Sequence, residues 1–380
     1  MSEYQYYEFL AVDRPLTEGE MRELSGISTR ADITPTSFIN EYNWGDLKAN
    51  PANLLQRYFD VFVYVANWGT HRIGLRIPND AWDLKTAAQY LTGDRASSKV
   101  GKGCVVVDLR SDVEYPEDWE DGRGWMASLA PVRADLLRGD LRPLYIAWLA
   151  CIQDGDINDN APEPPVPAGL RQLTAAQLRL AEFLRVDGYL LEAAANNSED
   201  EVHTPDGLAN WIASLPVKEK DRLLVTVTQG QEIEVGAALV RRYRRHLVKT
   251  RAGLETTFRH RVGELLEAAA TRREEHENEL ARCAEKERKR REALDAKART
   301  KHLDALAKRE NAAWKEVEQL VSSKRPKAYD DAVVLLRDLR DLAERAKKPE
   351  RFTSKITALT VCHSGKRSFV ARLCKAGLTA

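Results

Sequence analysis

Residues 60–78 read DVFVYVANWGTHRIGLRIP, and this stretch decides the fold of the front half. Val61 to Trp68 is a continuous apolar run that ends on Asn67-Trp68-Gly69-Thr70, and Ile73 to Ile77 returns on the other side. Two such runs with glycine at the turn are a hairpin signal. The chain is therefore expected to build an antiparallel sheet outward from this pair.

On the N-terminal side, Tyr4 to Val12 has no breaker and reads as a buried strand. Thr17 and Glu20 form a Thr-x-x-Glu capping box that opens a helix through Met21 and Leu24. Ile33 to Trp44 reads as one extended segment with Phe38, Tyr42 and Trp44 in alternation, and Pro51 opens a helix through Leu54, Leu55 and Tyr58. On the C-terminal side, a helix near Ala87 to Leu91 precedes a strand from Cys104 to Leu109. The order β-α-β-α-β-β-α-β predicts an α+β head domain with a mixed or antiparallel sheet, spanning 1–153 and ending in helices from Trp125 to Cys151.

Beyond it the chain reads as helical. Residues 154–169 (DGDINDNAPEPPVPAG) hold four prolines and are expected as an acidic, Pro-rich linker. Residues 170–235 are expected as a small helical domain built on Leu173, Leu178, Leu180, Phe183 and Leu184, then Trp211, Ile212 and Leu215. Residues 236–325 are expected as a long basic helical arm, because Glu264 to Arg325 contains neither Gly nor Pro. The apolar spacing lapses between Ala284 and Arg291, which predicts a long helix packed at its two ends, or a helical hairpin with its tip there. C-terminal helices follow over 326–380, broken at Lys348-Pro349.

The net charge of zero hides a division. Residues 1–235 carry 22 Lys and Arg against 37 Asp and Glu, and residues 236–380 carry 36 against 21. The halves are electrostatic complements, which points either to a charged partner or to an internal interface. No window approaches the roughly 18 apolar residues of a membrane span, and the first residues have no signal-peptide pattern. Five scattered cysteines fit a reducing compartment. A cytoplasmic protein, away from membranes, is the expectation.

Chemistry-bearing motifs are few. Asp154, Asp156 and Asn158 stand at the first positions of a calcium-loop pattern, but Asp159 replaces its glycine and Pro165 its bidentate glutamate. Cys283, Cys362, His363 and Cys374 lack the paired short spacing of structural zinc sites. No nucleophile elbow or phosphate-wrapping glycine loop is present. The expectation is no metal and no cofactor.

Two constellations remain. NWGDLK (43–48) and NWGTHR (67–72) place Asn43, Trp44, Asn67 and Trp68 at strand ends, where Trp and Asn can frame a head pocket or form a core tryptophan and its turn. Arg241, Arg242, Arg244 and Arg245, with Tyr243 interleaved as a stacking platform, form the densest basic cluster. Lys286, Arg288, Lys289, Arg290 and Arg291 form the second. Such clusters meet nucleic acid through phosphates, or dock on an acidic surface or protein partner.

The opening YQYYEFLAVDRPLTEGEMRELSGISTRADITPTSFINEYNWGDLK (4–48) with YFDVFVYVANWGTHRIGLRIP (58–78) resembles a group of uncharacterised bacterial proteins with no established activity. That resemblance implies no catalytic residues. It is the source of one alternative, an accessory factor of a bacterial defence locus of the CRISPR type that binds nucleic acid. The leading expectation is a non-enzymatic adaptor or regulatory protein assembling with other proteins. An enzyme with its pocket in the head domain is the third reading.

Overall fold

The computed structural model describes residues 3–113, 120–200, 205–230, 232–252 and 260–378. They form two compact units, residues 1–276 and 277–380.

The first unit is built on a seven-stranded, wholly antiparallel sheet in the order β2-β3-β1-β4-β5-β7-β6. Its strands are β1 (Gln5–Leu10), β2 (Asp32–Ile33), β3 (Ser37–Tyr42), β4 (Val61–Ala66), β5 (Thr70–Pro78), β6 (Ala96–Val100) and β7 (Cys104–Asp112). The predicted hairpin is the β4–β5 pair, in which Val61 opposes Leu75 and Val65 opposes His71. The extended segment expected from Ile33 to Trp44 is instead a small hairpin: Pro35 sits in a turn where Thr34 N–H donates to Ser37 O at 2.9 Å. The edge strand β6 (ASSKV) was not foreseen, since it is too polar to show strand alternation.

Helices α1 (Glu18–Ile27) and α2 (Pro51–Arg57) cover part of one face of the sheet. Thr17 and Glu20 form the expected reciprocal capping box on α1. Leu24, Leu54 and Leu55 pack there against Phe9, Phe38 and Phe62. The opposite face, lined by Val61, Val63, Val65, Ile73, Leu75, Val107 and Leu109, joins the larger core. That core gathers α3 (Leu84–Ala87), α4 (Trp125–Leu129), α5 (Pro131–Leu137), α6 (Arg142–Gln153), α7 (Ala175–Phe183) and α8 (Gly188–Asn196). Strands alternate their side chains between faces, so a sheet covered on both sides needs apolar residues at nearly every position. β4 is buried throughout.

The expected division of the front half does not hold. Residues 154–169 are folded onto the core: Tyr90 Oη donates to Pro165 O at 2.7 Å, Glu163 is 2% exposed and bonded to Tyr145, and Pro162 bridges to Arg261. Asp154 and Asp156 both pair with Arg95, at 2.9 and 3.2 Å. Residues expected in a separate helical domain, Leu180, Phe183 and Leu190, share one core with the sheet. Prolines and acids suggest a linker because they bury poorly, but here their polar groups have partners. The unit continues through α9 (Pro205–Ser214), α10 (Val217–Thr228) and α11 (Glu232–Ala252) into the start of α12 (Val262–Ala307).

The second unit contains the rest of α12 with α13 (Glu310–Ser322), α14 (Pro326–Arg345), α15 (Pro349–Cys362) and α16 (Arg367–Lys375). Leu303, Leu306, Val317, Val321, Leu336, Ile356 and Phe369 form its core. Asp338 takes Arg299 Nη1 at 2.5 Å and His302 Nε2 at 2.7 Å. α12 is continuous through Ala284 to Arg291, so no hairpin tip lies there. Its end comes at Lys308-Arg309, where no Gly or Pro announces it, because Leu306 and Ala313 enter one core and tertiary packing outweighs helix propensity. Val262, Leu265 and Ala269 are buried at one end and Leu303 and Leu306 at the other, while no residue from Ala270 to His302 is buried. Among the described residues no helix is long and apolar enough to cross a membrane.

Candidate ligand-binding site

The two Asn-Trp-Gly motifs end β3 and β4, and in each the glycine turns the chain with a left-handed backbone, φ +81° at Gly45 and +99° at Gly69. Only glycine adopts this without cost. The turns bring Gly45, Asp46 and Leu47 of the first motif, and Trp68, Thr70 and Arg72 of the second, to one cavity of about 710 Å³.

The floor is a row across four adjacent strands. Tyr7 of β1 opposes Tyr64 of β4, Tyr64 opposes Arg72 of β5, and Arg72 opposes Arg110 of β7. Gln5 organises the aromatic end: its Oε1 accepts from Tyr64 Oη at 2.9 Å and lies 2.9 Å from Tyr7 Oη, and its Nε2 donates to Gly45 O at 2.8 Å. The Tyr7 hydroxyl also meets Asp46 Oδ1, which accepts the Leu47 N–H at 2.7 Å. Burial, and then the Asp46 carboxylate beside it, pushes the Tyr64 phenol up to about 12. Burial and the Asp46 hydrogen bond raise Tyr7 as well, so both stay protonated at neutral pH.

At the cationic end, Arg72 is held by Asp108, its Nε donating at 2.7 Å, and Arg110 Nε lies 2.6 Å from Asp112. Asp112 also accepts from Thr70 Oγ1 at 2.7 Å, and Thr70 in turn takes the Trp68 indole N–H at 3.1 Å. The Asp108 bond raises the Arg72 guanidinium further, and it remains charged. The lining holds no Ser, Cys, His or Lys among the described residues. This arrangement offers hydrogen-bond donors, aromatic surface and charge, all suited to holding a ligand.

Of the four residues singled out by sequence, only Trp68 lines the cavity. Asn67 Oδ1 accepts the Tyr4 N–H at 2.9 Å and stabilises its turn, Asn43 is exposed, and Trp44 is 80% exposed beside the site. Sequence reasoning missed Gln5, Tyr7, Tyr64, Arg72 and Arg110. The available signal was polar residues standing two apart on one face of otherwise apolar strands.

The first basic cluster is largely engaged inside the first unit. Arg241 Nη1 donates to Leu137 O at 2.8 Å, and α11 approaches α5 so closely that a Cβ on Gly139 would lie 3.2 Å from Arg241 Cγ. Arg242 pairs with Glu219 at 2.7 Å, and Arg244 Nη1 is 3.6 Å from the buried Asp140. Arg245 lines a cavity of about 110 Å³ with Arg241, Arg244 and Trp82. Tyr243, expected as a stacking platform, is buried, its ring 5.6 Å from that of Trp211. The second cluster is exposed on α12. There Arg288 and Lys289 pair with Glu285, at 2.7 and 3.2 Å, while Lys286, Arg290 and Arg291 have no acidic partner among the described residues. No three His, Cys, Asp or Glu side chains among the described residues are grouped to hold a metal ion.

Comparison of the chain with protein families, curated proteins and solved structures yields no match.

Proposed function

We propose that the chain is a non-enzymatic regulatory adaptor, which recognises a small polar ligand in the head cavity and assembles with a protein partner along α12. The observation that carries this reading is the stretch from Ala270 to His302, a helix with no buried residue that exposes Leu280 (57%) and Leu294 (58%). Helices draw most of their stability from packing an apolar face, and these leucines, two heptads apart, offer such a seam to another helix. The cavity supports the regulatory half, since its lining offers groups suited to binding and orienting a ligand and has no Ser, Cys, His or Lys among the described residues.

The test is hydrogen exchange on the intact protein, alone and with whatever co-purifies from its native source. Residues 270–302 should exchange fast in isolation and be protected in the complex. Leu280→Glu with Leu294→Glu should abolish the complex while leaving the unfolding free energy within about 0.5 kcal/mol of the parent. Unchanged exchange on complex formation would refute the reading. A nucleic-acid partner is the second reading, favoured by Lys286, Arg290 and Arg291 on the same helix, which have no acidic partner among the described residues. It requires duplex binding by the intact protein that falls steeply with salt.

A further inference from the structure

We infer that the head cavity is a nucleotide site: the Arg72–Arg110 pair takes the phosphate, Trp68 stacks the base, and Asp46 accepts from the base's N–H groups. This rests on the reading of the cavity as a recognition site and names its ligand.

The arginine pair is the first argument. Arg72 and Arg110 stand directly opposite on neighbouring strands and on one face of the sheet, a position where like charges destabilise. Each is held from the Nε side by an aspartate of β7, Asp108 or Asp112. Arg72 Nη1 and both terminal nitrogens of Arg110 are left without a partner among the described residues. Two guanidiniums fixed by neighbouring carboxylates, with outer donors open to solvent, match the several acceptor oxygens of one phosphate. The aspartates neutralise the arginines, so the fold tolerates the pair.

Position supplies the second argument. The row from Tyr7 to Arg110 crosses three strand spacings, roughly 14 Å at about 4.8 Å each. A ligand that touches both ends must therefore be elongated, with an anion at one end. At the other end Asp46 uses Oδ1 for Tyr7 and Leu47, and its Oδ2 has no partner among the described residues. That oxygen is an acceptor for ring or exocyclic N–H groups. Trp68 is fixed by its N–H bond to Thr70 yet keeps 43% of its surface exposed at the cavity, as a stacking surface requires. Free phosphate would use only the arginines and a nucleoside only Trp68 and Asp46.

The experiment is calorimetry of the intact chain with the four common 5′-mononucleotides, the matching nucleosides, inorganic phosphate, and a panel of amino acids and dicarboxylates. At least one nucleotide should bind, and its nucleoside and phosphate should each bind at least about tenfold more weakly. Arg110→Ala, at a half-exposed side chain, should leave thermal unfolding unchanged and weaken the nucleotide about 10- to 100-fold, the range of a charged hydrogen bond, without affecting the nucleoside. Trp68→Ala should weaken both. Binding of amino acids or dicarboxylates alone overturns the nucleotide assignment and leaves the recognition reading standing; binding of nothing overturns both. Nucleotide affinity indifferent to Arg110→Ala and Trp68→Ala places binding elsewhere and overturns the site.

Discussion

The two basic clusters look alike as sequence and behave as opposites in the fold. RRYRRHLVKTR (241–251) and KERKRR (286–291) are both helical and both rich in arginine. In the first, Arg241 meets Leu137 O and Arg244 approaches Asp140, both in the head, and Arg242 meets Glu219 of α10. The second stands on the exposed stretch of α12, where its ion pairs among the described residues are with Glu285 and Glu292 of the same helix. A run of charge states what a segment is able to attract, whereas its neighbours in three dimensions decide whether that attraction is already satisfied. The complementarity of the two halves is thus partly internal, through α11 on the head.

The largest expected effect breaks the first member of this comparison. Asp140 accepts from Arg142 Nη2 at 2.6 Å and Gln177 Nε2 at 3.0 Å, and faces Arg244 at 3.6 Å. Asp140→Ala removes a buried carboxylate that accepts from both the Arg142 guanidinium, 4% exposed, and the Gln177 amide. Urea denaturation should show a loss of about 3–5 kcal/mol in the first unit. A loss near zero would mean that α11 is not anchored through this network.

Acid should do the same more gently. Burial alone would raise the Asp140 carboxyl, but the Arg142 hydrogen bond and the charges of Arg244 and Arg142 outweigh it and hold the group below the usual aspartate value. Its folded pKa is depressed, so its contribution is complete above the unfolded value of about 3.9 and is lost as pH falls through the folded one. The urea midpoint should therefore drop below about pH 4, and Asp140→Asn should flatten that part of the profile. An identical profile in the variant would remove Asp140 from the account.

The smallest effect sharpens the other member. Reversing Lys286, Arg290 and Arg291 to Glu should change stability by no more than about 0.5 kcal/mol each, because none has an acidic partner among the described residues. Far-UV circular dichroism and the urea midpoint check this. A fall comparable to that of Asp140→Ala would show that the two clusters are alike after all.

Much of the head was legible in advance. β1, β4, β5 and β7, the capped α1 and the Pro-initiated α2 follow from local patterns: apolar runs, a capping box, glycine at a turn. β6 was illegible because an edge strand held by β7 needs no apolar face of its own. The candidate site was half legible. The repeated Asn-Trp-Gly marked both turns, but Gln5, Tyr7, Tyr64, Arg72 and Arg110 come from strands up to 105 positions apart in the chain and meet only through register.

Local pattern by itself determined most of the strands and helices of the head, the length of the Gly- and Pro-free stretch, and the opposed charges of the two halves. Tertiary structure alone decided that residues 154–169 close onto the core instead of separating domains, that α12 stops at Ala307, and which basic cluster stays free. The physical reason is the same in each case. Propensity and hydrophobic period act within a few residues, whereas burial, ion pairing and cross-strand register depend on groups that the chain brings together from far apart.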